Sequence, residues 1–153
     1  TFKISDTLKQ IRNAYFGLYS PEGKYVYKQE FILEPGELEL DLKKGDKKST
    51  ISGGKYNDLI YTPLKSDEAY ANRKKALSDF SNTLTQESFQ IDSVRERYSE
   101  FSKAVKDFEL NYYQRIFNSP KDTLAQLLVF HKLGYKDAIE PRLDAFENQF
   151  GKD

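Results

Sequence analysis

Cysteine is absent from the 153 residues, and so are methionine and tryptophan. Without Cys the chain offers no thiolate for disulfide exchange, no disulfide and no thiolate metal ligand. Histidine is nearly absent as well, with His131 the one imidazole. A metal site built on His and Cys needs more ligands than that, and a catalytic His needs a nucleophile and an orienting group beside it. Charge of one sign is also missing, since 24 Lys+Arg face 24 Asp+Glu. That balance removes the electrostatic footprint of a nucleic-acid binder. No apolar run approaches the roughly 18 residues of a membrane helix. Thr1 stands first with no charged-then-apolar leader, which reads as a processed or cloned fragment of a longer chain.

What is present is aromatic. Tyr and Phe number 11 each in a chain that is 38% hydrophobic and 31% charged. That is enough large apolar surface for one folded domain of this length. Glycine divides it: six of the eight Gly fall at or before Gly54, and the next is Gly134. A glycine-rich opening followed by a glycine-free stretch predicts strands and turns over 1–54 and helices over 55–153, within a single domain 1–153.

Alternation carries the first part. Phe2 and Ile4 share a face, and so do Ala14, Phe16 and Leu18, with Tyr15 and Tyr19 opposite. Ser20-Pro21-Glu22-Gly23 and Glu34-Pro35-Gly36 supply turns on either side of a strand from Tyr25 to Leu33. Leu38, Leu40 and Leu42 alternate with Glu37, Glu39 and Asp41, and Ile51 centres a last short strand. Lys43–Lys48 form a charged tip between them. The expected fold is α+β: an antiparallel meander, like a truncated sandwich sheet, followed by a helical bundle.

After Gly53-Gly54 the period becomes helical. A helix beginning at Asn57-Asp58 is interrupted by Pro63, and Ser66 is the expected N-cap of the next, along which Tyr70, Leu77, Phe80 and Leu84 recur. Val94, Tyr98, Phe101, Val105, Phe108, Tyr112 and Ile116 define one long helix from Asp92 to Asn118. Ser119-Pro120-Lys121-Asp122 reads as the start of another, with Ser at the N-cap. Leu124, Leu127, Leu128 and His131 then share its buried face. Leu143, Phe146 and Phe150 mark a short final helix after Pro141.

No constellation of catalytic residues emerges. His131 continues an apolar stripe, so its expected role is packing. Glu37, Glu39 and Asp41, like Glu96, Glu100 and Asp107, read as solvated faces. Lys43, Lys44, Lys47 and Lys48 read as a wet hairpin tip, because residues 1–54 hold nine basic against eight acidic residues. Gly53-Gly54-Lys55 lacks the remainder of a phosphate loop. Catalytic, cofactor and metal residues are therefore none. The feature left over is Tyr15 and Tyr19, which read either as cross-strand or helix packing or, more sharply, as an interaction face, since exposed Tyr is common at interfaces.

Phe31-Ile32-Leu33-Glu34-Pro35-Gly36-Glu37-Leu38 resembles the F-I-x-E-P-G-x-I/L turn of an envelope domain family of Bacteroidetes-type bacteria. Ile51-Ser52-Gly53-Gly54 followed by Asn57 resembles that family's next element, a strand leading to Asn at a helix start. The family is the domain of unknown function that precedes the thioredoxin-like domain of secreted or lipid-anchored thiol:disulfide oxidoreductases. The resemblance implies periplasmic or envelope localisation and a non-enzymatic accessory domain. Its partner would be a C-terminal thioredoxin-like domain, with C-x-x-C lying past Asp153, or another protein. It marks Glu34, Pro35, Gly36, Gly53, Gly54 and Asn57 as structural, with Asn57 capping a helix. It also implies strands before Thr1, so self-association through an open edge at Thr1–Ser5 or its neighbour is expected. The alternative, with no redox link, is a stand-alone structural or ligand-binding envelope protein.

Overall fold

A computed structural model describes residues 8–23, 25–41, 50–119 and 122–133. Phe2 and Ile4, the Lys43–Lys48 tip, Leu42, Gly134 and the expected final helix with Leu143, Phe146 and Phe150 lie outside them. The class is α+β, as the alternation and the helical period imply. The chain divides into two compact units, Thr1–Lys65 and Ser66–Asp153.

In the first unit, β1 (Arg12–Tyr19) pairs antiparallel with β2 (Tyr25–Leu33), with Arg12 opposite Leu33 and Leu18 opposite Tyr27. Gly23, at φ +76°, closes the connecting turn through the hydrogen bond its N–H donates to the Ser20 carbonyl. β3 (Glu39–Asp41) pairs with β4 (Thr50–Ser52), Leu40 opposite Ile51. Among the described residues these are two separate two-stranded sheets, so the expected continuous meander is broken after β2. The break falls at Glu34-Pro35-Gly36. Pro35 has no N–H to give a ladder, and Gly36 sits at φ +122°, so β2 cannot run on. Helix α1 (Lys55–Ile60) and helix α2 (Thr62–Ser66) follow, with Pro63 in the first turn of α2, where a missing N–H costs nothing. Among the described residues of this unit, Ile32, Ile51, Tyr56, Ile60, Tyr61 and Leu64 are the buried apolar ones.

The described part of the second unit is helical. Helix α3 (Glu68–Ser81) runs antiparallel to α4 (Asp92–Phe117), because Tyr70 stacks on Phe108 at 5.7 Å while Phe80 meets Phe101 at 5.3 Å. Arg73 lies over Phe108 and Arg97 over Phe80, so charged heads roof rings that the helices leave half open. The N-cap of α3 is Asp67, whose carboxylate accepts from the Tyr70 N–H at 2.9 Å. Ser66, the expected cap, is instead spent in the last turn of α2. Leu84 lies beyond the end of α3, in the connection that leads to a single 3₁₀ turn at Ser88–Gln90.

The α4 stripe is as spaced until its C-terminal end, where Tyr113 and Phe117 are buried while Tyr112 and Ile116 are half-buried. A seven-residue repeat drifts by about 20° per heptad on a straight helix, so the inner face moves on by one residue. Helix α5 (Thr123–Phe130) then packs on that displaced face. Phe130 meets Phe117 at 6.1 Å, and the Gln126 side-chain amide donates to the carbonyls of Phe117 and Ser119. Asp122 caps α5 by accepting from the Ala125 N–H, so the helix begins after Asp122 rather than after Ser119. Ala125, Leu128 and Val129 are buried while Leu127 is exposed, which turns the inner face of α5 from the expected one.

Phe117 is almost fully buried and Glu100 is exposed. Phe117→Ala should therefore cost about 3–5 kcal/mol in urea melts, half-buried Phe101→Ala less, and Glu100→Ala no more than about 0.5 kcal/mol. Equal effects would contradict the packing described. A second expectation concerns alkali. Burial first, then the hydrogen bond to Glu109 and its charge, push the Tyr70 phenol well above its ordinary range. The folded chain then holds a proton that the unfolded chain releases, so this contribution is complete below pH about 10 and is lost as pH rises beyond it. Melts across that range should show wild-type stability falling above pH 10, and Tyr70→Phe should flatten the fall.

Candidate functional site

Glu34 and Asn57 meet across 23 residues of sequence. Gly54 occupies the N-cap of α1 and carries no side chain, so its first turn must find an acceptor elsewhere. Glu34 supplies it from the end of β2. One oxygen, Oε1, accepts from the Tyr56 N–H at 3.0 Å, the Asn57 N–H at 2.9 Å and the Asn57 side-chain amide at 2.9 Å. Oε2 also accepts from the Tyr56 N–H at 3.0 Å. Glu34 as a residue is only 6% exposed, and its charge lies at the positive end of the helix.

Asn57 is not the helix cap that its place in the motif suggests. It lies inside α1 at 0% exposure, and its amide turns back to the sheet. Oδ1 accepts from the Ile32 N–H at 2.8 Å, and Nδ2 donates to the Ile32 carbonyl at 2.7 Å. One side chain thereby copies the pair of bonds that a neighbouring strand would make.

The double glycine makes room for this. A Cβ on Gly54 would stand 2.4 Å from Glu34 Oε1, and one on Gly53 would stand 2.3 Å from the Glu37 carbonyl oxygen. Gly53 and Gly54 also sit at positive φ, +81° and +85° respectively. Thus the Glu-Pro-Gly segment and the Gly-Gly…Asn segment are two halves of one clasp. Sequence reading marked both halves and missed that they touch.

Three further members were missed. Gln29 is buried, and its Oε1 accepts from the Lys65 ammonium at 2.9 Å, while its amide donates to the Glu30 carbonyl. Burial, and then the charge of Glu30, push the buried Tyr61 phenol upward. Two signals pointed here. Gln29 shares strand parity with Phe31 and Leu33, so it is a polar residue on an apolar face. Asn57, Tyr61 and Lys65 recur at intervals of four, along one side of α1 and α2.

Tyr15 and Tyr19 are each 61% exposed on one face of β1. The Lys28 ammonium lies 5.0 Å over the Tyr15 ring and pairs with Glu30 at 2.8 Å. The Tyr19 ring leans back over Gly17, where a Cβ would stand 3.3 Å from it. Leu18, on the other face, is 41% exposed. His131 is exposed at the C-terminal end of α5, with Nδ1 3.0 Å from the Leu128 carbonyl, and does not pack in the stripe. Its position past the last helical residue turns it off the buried face. Glu37, Glu39, Asp41, Glu96, Glu100 and Asp107 are exposed, in keeping with solvated faces. Among the described residues no three His, Asp or Glu could share a metal ion.

No family model matches the chain, and no curated protein or solved structure matches it. The clasp therefore stands on its geometry alone. Glu34→Ala would bury three donors without an acceptor, at about 1–3 kcal/mol each. Glu34→Gln, which keeps one acceptor oxygen, should cost distinctly less. Gly54→Ala adds a steric displacement of the carboxylate to the backbone strain, whereas Gly23→Ala, with open space around its Cβ, carries only the strain of about 1–2 kcal/mol. Thermal melts should rank Gly54→Ala well below Gly23→Ala. The reverse order would contradict the clasp.

Proposed function

We propose that this chain is a non-catalytic accessory and interaction domain of a thioredoxin-like thiol:disulfide oxidoreductase of the bacterial cell envelope. The single observation that carries the interaction role is the aromatic face of β1, where Tyr15 and Tyr19 are both largely open to solvent. Tyr presents a large, stiff ring with a polar rim and loses little side-chain entropy on docking. The strand that bears them is paired along its length with β2, and β2 is fastened through Glu34 and Asn57, so the face sits on a rigid support.

The redox context rests on the resemblance. The two segments that carry it, Phe31–Leu38 and Ile51–Asn57, are those joined in the clasp, which gives their spacing a physical reason. With no Cys the chain supplies no attacking thiolate, so disulfide exchange would belong to a Cys-bearing partner domain. No helix among the described residues is long and apolar enough to cross a membrane.

Two measurements test the reading. The reading frame past Asp153 should encode a C-x-x-C shortly after a predicted strand; a frame without one removes the redox link and leaves the stand-alone envelope protein. The reduced domain carrying that motif, titrated against this chain, should bind through the tyrosine face. Tyr15→Ala and Tyr19→Ala should each weaken binding by about 1–2 kcal/mol, near tenfold, with unchanged melting of the free chain. Binding that ignores both substitutions would place the interface elsewhere.

A further inference from the structure

The hydrogen bonds of Asn57 fix which way the backbone of β2 points. Ile32 gives both its N–H and its C=O to Asn57, so neither is turned toward β1. Asn13 opposite Ile32 is therefore a pair without mutual bonds in the antiparallel ladder. Pairs alternate, so Tyr15 opposite Glu30 and Gly17 opposite Lys28 are of the same kind. Ile32, Glu30 and Lys28 thus direct their backbone groups to the outer edge of β2.

α1 and α2 lie along that edge. Asn57 takes both groups of Ile32, Tyr61 lies within reach of the charge of Glu30, and Lys65 holds the Gln29 side chain whose amide covers the Glu30 carbonyl. We propose that α1 and α2 act as an edge guard, in which the amides of Asn57 and Gln29 stand in for a third strand. What they exclude is the β2 strand of a second copy of this chain. This goes beyond the accessory role and does not depend on it.

The edge suits a second copy because it is complementary to itself. Two β2 strands paired antiparallel about Gln29 would set Lys28 of each opposite Glu30 of the other. Both residues belong to the outward-pointing set, so backbone bonds and opposite charges fall in the same register. The Lys28–Glu30 pair now made within each of two chains would be exchanged for two pairs between them. An edge of this kind is a ready template for pairing unless something covers it.

The test compares four proteins by sedimentation and light scattering at matched concentration, with circular dichroism and melting to follow folding. They are the wild type, Asn57→Ala, Lys28→Pro and Asn57→Ala/Lys28→Pro. Pro at 28 removes an outward N–H and leaves the β1 ladder intact. Asn57→Ala should raise the weight-average mass toward twice the wild-type value. Adding Lys28→Pro should return the mass to the wild-type value without restoring the melting temperature. Folded Asn57→Ala with wild-type mass would overturn the proposal, as would association that persists in the double variant, which marks sticking through disordered chain. If Asn57→Ala fails to fold, Gln29→Ala/Lys65→Ala opens the same edge away from Glu34. A rise in mass that Lys28→Pro abolishes then supports the guard, and any other result overturns it.

Discussion

A single buried carboxylate holds the first unit together. Glu34 sits where a strand stops and reaches a helix whose N-cap residue has no side chain to offer. Burying a carboxylate is costly unless its oxygens are filled, and here two backbone N–H groups and a side-chain amide fill them. The neighbouring requirements descend from that. Gly54 must lack a Cβ because the carboxylate occupies its place, and Gly53 must lack one because the Glu37 carbonyl does. Pro35 and Gly36 must end β2 so that Glu34 is released from the ladder to turn toward α1.

Asn57 extends the same logic to the sheet. Both ends of its amide are tied to Ile32, and the Nδ2 end also to Glu34, so helix position and strand position are set by one residue at zero exposure. The second unit is built otherwise. Its helices meet through pairs of rings at 5.3–6.1 Å, and Arg73 and Arg97 complete the cover from the solvent side. A chain with few branched aliphatic residues in α3 and α4 can still close a helical interface in this way, since each ring buries a large area and tolerates a cation on its face.

The sequence was legible where the signal is periodic. The α4 boundaries differ from the predicted ones by a single residue, and the alternation of Leu40 with Glu39 and Asp41 matches their burial. It was less legible where two residue types compete for one role. Ser66 and Asp67, and then Ser119 and Asp122, are both acceptable N-caps, and in each case the Asp adjoining the helix took the position. The Glu34–Asn57 contact was not legible at all. Motif residues were visible in two places, but nothing in a linear reading says that a strand end will cap a helix 22 residues later. Asn57 was assigned to the nearest helix terminus for the same reason, because local caps are common and a side chain that imitates a strand is rare.

Native-state hydrogen exchange of the Ile32, Tyr56 and Asn57 amides tests the central claim most directly, because each donates to a clasp atom. If the clasp is what holds the first unit in its fold, these three amides open only with the whole unit, and their exchange free energies equal that unit's unfolding free energy. Exchange of Tyr56 and Asn57 through a local opening, far below the protection of the β1–β2 ladder, would contradict it.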